Sequence, residues 1–383
     1  MLPVLQCFRL FLFVLVIFPL AARAGIPLPV PTAPKLSASA YLLVDIKSGH
    51  RIVAKDVDKK VEPASLTKLM TSYLVFKELV AGEVSLSDKV AISEKAWRME
   101  GSRMFIREGT EVTLEALIKG MVIQSGNDAS VAIAEHIGGS EEAFAELMNH
   151  QAMLLGMSAT NYVNSTGLPH AEHYTTAEDL AILAIALIEE FPEYYAWYSI
   201  KEYTYGGITQ SNRNRLLWKD AAVDGLKTGH TKSAGYCLVA SAEKDKMRLV
   251  SVVLGTSSDK RRNQETQVLM NYGFRFFETR RLYKSGQSLA KERIWGGEKT
   301  EVSAGILSDL YLTIPKRQYK NLKAVTKISE TLNAPLRKGQ KIGRVEVMLN
   351  DKAIAQVDLV TLESAVEGGV MRQLSDWVEQ LWK

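Results

Sequence analysis

The stretch Glu62-Pro63-Ala64-Ser65-Leu66-Thr67-Lys68 opens the first long helical pattern of this 383-residue sequence. Pro63 suits the start of a helix, because a proline lacks the N–H that the first helical residue leaves unbonded. Apolar residues then recur at helical spacing along one side: Leu69, Met70, Tyr73, Leu74 and Phe76. Ser65 and Lys68 are three residues apart and therefore share one face of a helical turn. The stretch predicts a helix whose first turn carries a serine–lysine pair.

This pair has the chemistry of an activated nucleophile. A serine hydroxyl attacks well only when a base removes its proton. Lys68 can be that base if it is neutral, which requires burial or nearby positive charge to lower its pKa; Lys227 would supply such a charge. Free backbone N–H groups in a first turn stabilise negative charge, so the Ser65 amide is a candidate oxyanion donor. We predict Ser65 as an acyl-transfer nucleophile; whether Lys68 alone is the acylation base stays open.

The sequence changes from strand patterns to helical patterns and back around this helix. Two strand patterns, 40–45 and 51–56, precede it and are joined by Lys47-Ser48-Gly49. Helical patterns follow at 114–123, 129–137, 141–155 and 176–190, and strand patterns return at 201–205, 223–230, 235–242 and 249–255. A last helix is predicted at about 265–279. Strands on both sides of a helical block predict an α/β (α+β) domain with an inserted helical subdomain.

Two further motifs complete the candidate site. Ser125-Gly126-Asn127 falls between two helical patterns and is predicted as a loop, in which the serine relays a proton to a leaving amine and the asparagine holds Lys68 and the substrate backbone. Lys227-Thr228-Gly229-His230 lies on a strand pattern, where the glycine permits close backbone approach. An extended peptide can pair with such a strand, with the His230 amide as the second oxyanion donor. The three motifs in this order are specific, although each alone is weak.

The order S-x-x-K, S-x-N, K-T-G resembles the signature of penicillin-binding proteins and class A β-lactamases. Four longer strings resemble the low-molecular-mass D-alanyl-D-alanine carboxypeptidases of peptidase family S11: 62–68, 124–129, 225–231 and 272–279. The resemblance implies a serine β-lactamase/transpeptidase-like domain. It also implies that the enzyme removes the terminal D-alanine of peptidoglycan pentapeptides through an acyl-enzyme on Ser65, with β-lactams as inhibitors.

The resemblance further implies an arginine that binds the substrate carboxylate, as a guanidinium does bidentately. Arg262 has the matching spacing, Arg261 beside it is the alternative, and a merely solvated basic turn at 260–262 is the other interpretation. The expected catalytic residues are Ser65, Lys68 and Ser125, and the expected substrate-binding residues are Asn127, Lys227, Thr228, Gly229, His230 and Arg262. No metal or other cofactor is predicted, because His170 and His173 lack a third ligand.

Three competing functions use or imitate the same motifs. A class A β-lactamase deacylates with a glutamate in an E-x-x-L-N string, and no such string occurs between Ser125 and Lys227. A D,D-endopeptidase shares the chemistry, but the C-terminal segments favour a carboxypeptidase. A catalytically silent wall-binding protein would not need the motif residues, so their presence argues against this alternative.

Beyond the predicted peptidase domain, 25–283, the sequence changes character. Apolar residues alternate at 310–314, 345–349 and 355–359, with a hairpin turn at Asn350-Asp351-Lys352, so residues 284–361 are predicted as a small all-β domain, a β-sandwich. Residues 362–383 are predicted as an amphipathic helix, whose apolar side is Val370, Met371, Leu374, Trp377, Val378, Leu381 and Trp382. Tryptophans at such an edge suit a membrane interface, and docking on the protein's own surface is the alternative. Residues 363–383 carry four acidic and two basic side chains, so attraction to anionic lipids cannot drive membrane binding. Burial of the apolar side in the membrane would have to be the main driving force.

The N-terminal segment is interpreted as a signal peptide, residues 1–24. Arg9 precedes the apolar run 10–20, and Ala22-Arg23-Ala24 matches a cleavage site. The run is short for a membrane span, which makes an uncleaved anchor the weaker alternative. We therefore expect a periplasmic protein attached peripherally to the outer face of the inner membrane. The net charge of +4 is small for this length and predicts no nucleic-acid partner.

Overall fold

The computed structural model describes residues 29–328 and 331–381, so the predicted signal peptide, 1–24, lies outside the described residues. The strands of the first domain are β1 (Ala40–Asp45), β2 (Arg51–Lys55), β3 (Lys89–Ala91), β4 (Glu111–Thr113), β5 (Glu202–Tyr205), β6 (Ile208–Ser211), β7 (Val223–Thr231), β8 (Gly235–Lys244) and β9 (Met247–Thr256). Its helices are α1 (Lys68–Ala81), α2 (Glu94–Trp97), α3 (Leu114–Gln124), α4 (Asn127–Gly138), α5 (Glu141–Leu154), α6 (Ala177–Glu190), α7 (Pro192–Tyr195), α8 (Leu216–Lys219) and α9 (Asp259–Phe276).

The main sheet is antiparallel, in the order β2-β1-β9-β8-β7, and its strand β1 supplies side chains to two hydrophobic cores. Leu42 and Val44 belong to the core of the helical block, whereas Tyr41 and Leu43 belong to the core beneath α9. Successive side chains of a strand point to opposite faces, so a strand covered on both faces is apolar throughout. This sheet and the helical block beside it confirm the predicted α/β (α+β) class.

The helical block between β2 and β7 follows the predicted pattern closely. The helices predicted at 114–123, 129–137, 141–155 and 176–190 are confirmed as α3, α4, α5 and α6, with each end within two residues of the prediction. Local capping explains two of the starts: the Ser140 side chain accepts from Ala143 N and the Thr176 side chain from Asp179 N.

The start of α1 differs from the prediction. Ser65 lies in a 3₁₀ turn, Ala64–Thr67, and α1 proper begins at Lys68. The turn is distorted at Ala64, whose φ of 49° is left-handed. The serine–lysine pair therefore joins a tight turn to the first residue of the helix.

The last helix of the domain also differs, because α9 begins at Asp259 instead of about 265. Ser258 caps it by accepting from Arg261 N at 3.2 Å. Residues 259–264 are all polar, so apolar periodicity did not reveal this first turn. Residues 277–279, predicted as the end of the helix, lie in the next strand.

The second domain consists of strands and a terminal helix. Its strands are β10 (Phe277–Tyr283), β11 (Ser288–Trp295), β12 (Glu301–Gly305), β13 (Leu310–Pro315), β14 (Leu322–Ile328), β15 (Leu332–Asn333), β16 (Lys341–Leu349) and β17 (Lys352–Thr361). One sheet has the order β14-β16-β17-β12-β11-β15, and β10 pairs with β13. Because β10 pairs inside this domain, we propose residue 277 as the domain boundary instead of 284. The β16–β17 turn is Asn350-Asp351, with φ of 51° and 63°, while Lys352 already belongs to β17.

The C-terminal helix α10 begins at Val370, later than the predicted 362, and is described as far as Leu381. Trp382, which was predicted on its apolar side, lies outside the described residues. Asp376 is 2% exposed and accepts from Gly296 N at 2.8 Å, which attaches the polar side of α10 to the second domain. The apolar side faces outward and is exposed: Val370, Met371, Leu374, Trp377 and Val378. Of the helices in the described residues, none is long and apolar enough to cross a membrane.

Candidate active site

The turn that carries Ser65 packs closely against the segment between α5 and α6. A Cβ atom placed on Gly167 would lie 1.7 Å from Ala64 O, and Gly167 has a φ of 86°. Only glycine fits this approach and this backbone conformation. Ala64 and Leu66 are buried, while Ser65 stays partly exposed between them. The packed turn thus leaves the Ser65 hydroxyl accessible to solvent, while the residues on either side of it are buried.

Lys68 is 1% exposed, and its Nζ contacts three groups. It lies 3.2 Å from Ser65 Oγ, 2.7 Å from Asn127 Oδ1 and 2.6 Å from Thr166 O. Burial lowers the pKa of Lys68 to about 7, although the carboxylates of Asp128 and Glu141 oppose the shift. A neutral amine donates two hydrogen bonds, which the two shorter contacts use, and keeps a lone pair for the serine hydroxyl.

Ser125 and Asn127 come from the junction of two helices. Ser125 caps α3 with a left-handed φ of 65°, and Asn127 is the first residue of α4. Lys227 Nζ donates to Ser125 Oγ at 2.8 Å, so the third motif orients the second. Burial lowers the pKa of Lys227 well below its usual value, and the positive charges of Lys68, Arg213 and Arg262 lower it further. The expected proton relay is therefore held in place by a buried lysine.

Strand β7 is the edge of the main sheet, and it packs against the serine turn. A Cβ atom on Gly229 would lie 3.0 Å from Pro63 O, so glycine permits this close approach. Thr228 is buried and lines the cavity, whereas His230 is exposed. An edge strand offers unpaired backbone groups to an extended peptide.

Arg262 lies in the first turn of α9 and is 5% exposed, while Arg261 is exposed and does not line the cavity. The guanidinium of Arg262 pairs with Asp259 and donates to Gly229 O at 3.4 Å. Arg262 Nε is buried without a hydrogen-bond partner among the described residues. A buried donor without an acceptor is costly, so this group suits an incoming anion.

The active-site cavity has a volume of about 310 Å³ and is more cationic than the motifs predicted. Five lining residues were not predicted as site residues: Ser102, Arg213, Arg215, Tyr236 and Asp259. Arg213 and Arg215 belong to the string Asn212-Arg213-Asn214-Arg215, which directly precedes α8 and carries no catalytic motif. The structure buries both asparagines and leaves the arginines at the cavity.

The histidine pair that could have suggested a metal has a different role. His173 is buried, accepts from Val163 N through Nδ1 at 3.1 Å and contacts Thr67 Oγ1 through Nε2 at 2.8 Å. Burial lowers the pKa of His173 to about 4. Both ring nitrogens are thus engaged, and in residues 29–328 and 331–381 no group of three possible ligands is found.

The comparisons agree on one family. The family model for D-alanyl-D-alanine carboxypeptidase matches residues 29–258, and the model for the C-terminal domain of penicillin-binding protein 5 matches 277–367. D-alanyl-D-alanine carboxypeptidase DacC of Escherichia coli (strain K12) is 44% identical over 354 residues, covering 90% of this chain and 88% of the relative.

Solved structures give the same result. The structure of penicillin-binding protein 5 from Haemophilus influenzae superimposes on this chain with a TM-score of 0.86 and 40% sequence identity. The match covers 88% of this chain and 100% of that chain. The ampicillin-bound form of penicillin-binding protein D2 from Listeria monocytogenes has a TM-score of 0.58 and 32% identity, over 62% of this chain and 98% of that chain.

Proposed function

The chain belongs to the D-alanyl-D-alanine carboxypeptidase family, a family of serine-type hydrolases, and from this we propose that Ser65 is its nucleophile and Lys68 the base. The observation that carries the proposal is the contact of Lys68 Nζ with Ser65 Oγ at 3.2 Å inside a buried pocket. With its pKa near 7, Lys68 exists partly as a neutral amine at physiological pH. It can therefore accept the hydroxyl proton as Ser65 attacks.

Acylation forms the Ser65 Oγ–C bond with the carbonyl carbon of the penultimate D-alanine. The Ser65 and His230 amides are the proposed donors to the oxyanion. The C–N bond to the terminal D-alanine then breaks, and Ser125 passes its proton to the leaving nitrogen, while the proton that Lys68 accepted replaces it. Lys227 orients Ser125 through its 2.8 Å hydrogen bond. Water hydrolyses the acyl-enzyme, which releases the shortened peptide and restores the serine hydroxyl.

Substrate binding is assigned to the rest of the motif residues. The peptide lies along the free edge of β7, beside Lys227, Thr228 and Gly229, with Asn127 holding its backbone from the other side. The carboxylate of the terminal D-alanine binds Arg262, whose buried Nε has no partner among the described residues. Peptidoglycan pentapeptide is therefore the proposed substrate. No cofactor takes part in these steps.

β-Lactams are the proposed inhibitors, because they present an acyl group and a carboxylate to the same two ends of the cavity. Penicillin-binding protein D2, whose structure was solved in an ampicillin-bound form, shares this fold at 32% identity. The resulting acyl-enzyme is expected to persist, since no E-x-x-L-N string lies between Ser125 and Lys227.

Release of D-alanine tests this function. The purified protein is incubated with pentapeptide and with a cross-linked muropeptide dimer, and free D-alanine and monomer are quantified. Release of D-alanine by the wild type and not by Ser65→Ala is the expected result. Cleavage of the dimer faster than the pentapeptide would favour an endopeptidase, and equal D-alanine release by the variant would refute Ser65 as nucleophile.

We also propose that α10 attaches the protein to the outer face of the inner membrane, in the periplasm. Three of the four acidic groups in 363–383 pair with basic side chains of the second domain: Asp376 and Glu379 with Arg293, and Glu363 with Lys299. These pairs reduce repulsion from anionic lipids. The outward apolar side, with Trp377 58% exposed, is then free to enter the interface.

Sedimentation with phosphatidylethanolamine–phosphatidylglycerol vesicles tests the attachment. The double variant Leu374→Ser, Trp377→Ser keeps Asp376 and should remain in the supernatant, while wild type pellets. Trp97→Ser, which changes an exposed tryptophan of the first domain, is the matched control. Equal pelleting of the double variant would contradict the proposal.

A further inference from the structure

We propose that a second cavity beside the catalytic loop binds the part of the stem peptide that precedes the terminal D-alanyl-D-alanine. The cavity has a volume of about 530 Å³ and lies between the segment before β4 and the β5–β6 hairpin. Phe105, Arg107 and Glu111 line one side, and Tyr205 and Ile208 line the other. The inference rests on the proposed function, because it needs the scissile bond at Ser65.

The two cavities are neighbours along the chain. Ser102 lines the active-site cavity, and Phe105 lines the second one. Three residues of extended chain span about 10 Å, so no more than this length separates the two linings. A peptide of a few residues with its D-alanyl-D-alanine at Ser65 can therefore reach the second cavity.

The first wall is held by the residue that directly follows Asn127, the proposed substrate-binding asparagine. Asp128 is fully buried and accepts from Met104 N at 2.9 Å and from Phe105 N at 2.8 Å. Phe105 has a φ of 71°, which is rare for a bulky residue, yet its side chain remains 45% exposed. Backbone strain of this kind clusters at active sites and ligand contacts. Because the Phe105 ring is exposed, core packing does not account for the strain.

The second wall is held by the residue that directly precedes Ser125. Gln124 is fully buried, and its Nε2 donates to Tyr203 O at 3.0 Å. Gln210 Nε2 donates to Gln124 Oε1 at 3.2 Å and to Arg103 O at 2.9 Å, which ties the hairpin to the first wall. Both walls are thus fixed to the two residues that bracket the Ser125-Gly126-Asn127 loop.

The lining matches a peptide better than a sugar. Phe105, Tyr205 and Ile208 supply apolar surface, while Arg107 and Glu111 supply opposite charges. A peptidoglycan stem carries both a free carboxylate and a free amino group upstream of its terminal D-alanyl-D-alanine, which complement this pair. An uncharged sugar ring would contact the aromatic faces and leave both charges without a use.

Specificity for substrate length tests the proposal. kcat/KM is measured for a free pentapeptide, for N-acetyl-D-alanyl-D-alanine and for the disaccharide pentapeptide. Binding energy from remote parts of a substrate is lost on truncation, so wild type should prefer the pentapeptide over the dipeptide. Phe105→Gly, which keeps the left-handed backbone accessible, and Ile208→Ser should each lower this preference about tenfold. Ile354→Ser on β17, with a similar exposure of 41%, is the control and should leave it unchanged.

An unchanged preference in both variants would overturn the proposal. So would a loss confined to the disaccharide substrate, because the cavity would then contact the sugar. Acylation by benzylpenicillin is followed in the same samples, so that a failure of the proposed function can be distinguished from a failure of the second cavity to bind the peptide. A wild type that is not acylated refutes the proposed function itself, whereas normal acylation with an unchanged length preference refutes only the second cavity.

Discussion

His173 Nε2 lies 2.8 Å from Thr67 Oγ1, two residues after the proposed nucleophile. Val163 N donates to His173 Nδ1, so the neutral ring carries its proton on Nε2 and donates to the threonine. Thr67 Oγ1 donates in turn to Ala64 O at 2.8 Å. A buried imidazole thus supports the turn Ala64–Thr67 through the side chain of Thr67.

We expect His173→Leu to slow acylation by benzylpenicillin about tenfold, because a displacement of the nucleophile by a fraction of an ångström misaligns the attack. His173→Gln keeps an N–H donor and should restore most of the rate, which a purely hydrophobic packing role would not explain. Stopped-flow acylation kinetics measures both variants, with the exposed His150→Leu as control. Equal rates for the leucine variant and wild type would exclude this positioning role.

The pH dependence of acylation should report Lys68. Because burial lowers its pKa to about 7, the base is lost as pH falls through 7 and is gained as pH rises through it. The acylation rate should therefore rise with a midpoint near 7. Lys68→Arg, whose guanidinium stays protonated, should lower the rate by about 10²–10⁴-fold. A rate that is flat between about pH 5 and pH 9 would contradict Lys68 as the base.

Arg262 should distinguish substrates by their terminal charge. A hydrogen bond to a charged group contributes about 1.5–3 kcal/mol, so Arg262→Gln should lower kcat/KM for the pentapeptide roughly 10- to 100-fold. The same change should matter much less for a pentapeptide amide, which lacks the carboxylate. Arg261→Gln alters the exposed neighbour and is the matched control. If both substrates lose activity equally, Arg262 does not bind the carboxylate.

Gly167→Ala tests the support of the serine turn. A methyl group there would lie 1.7 Å from Ala64 O, so the loop must move away from the turn. We expect a destabilisation of more than about 2 kcal/mol together with slower acylation. Gly49→Ala has a similar φ of 66° but no atom within 4 Å, so it should cost only about 1 kcal/mol. Thermal unfolding measures both, and equal losses would show that the backbone angle alone matters.

Local patterns predicted most of the fold, because each element has a physical signature within a few residues. The helical block and the main sheet follow from apolar periodicity, and the motif order predicted that Ser65, Lys68, Ser125 and Lys227 meet. Periodicity failed where packing is not apolar. The polar first turn of α9 was invisible to it, although this turn buries Arg262.

Features that depend on long-range contacts could not be read from the sequence. The chain from Val163 through His173 to Thr67 joins segments far apart in sequence, and no local pattern marks it. The pairing of β10 with β13, on which the proposed boundary at residue 277 rests, likewise has no local pattern, because strand partners depend on the whole sheet. Neither Arg213 nor Arg215 carries a motif of its own.

The most direct test of the central claim is the mass of the protein after incubation with benzylpenicillin, followed by peptide mapping of the adduct. Ser65 as nucleophile predicts one penicilloyl group per chain, located on Ser65, and none on Ser65→Ala. An unmodified wild type, or an adduct that persists in the Ser65→Ala protein, would contradict it.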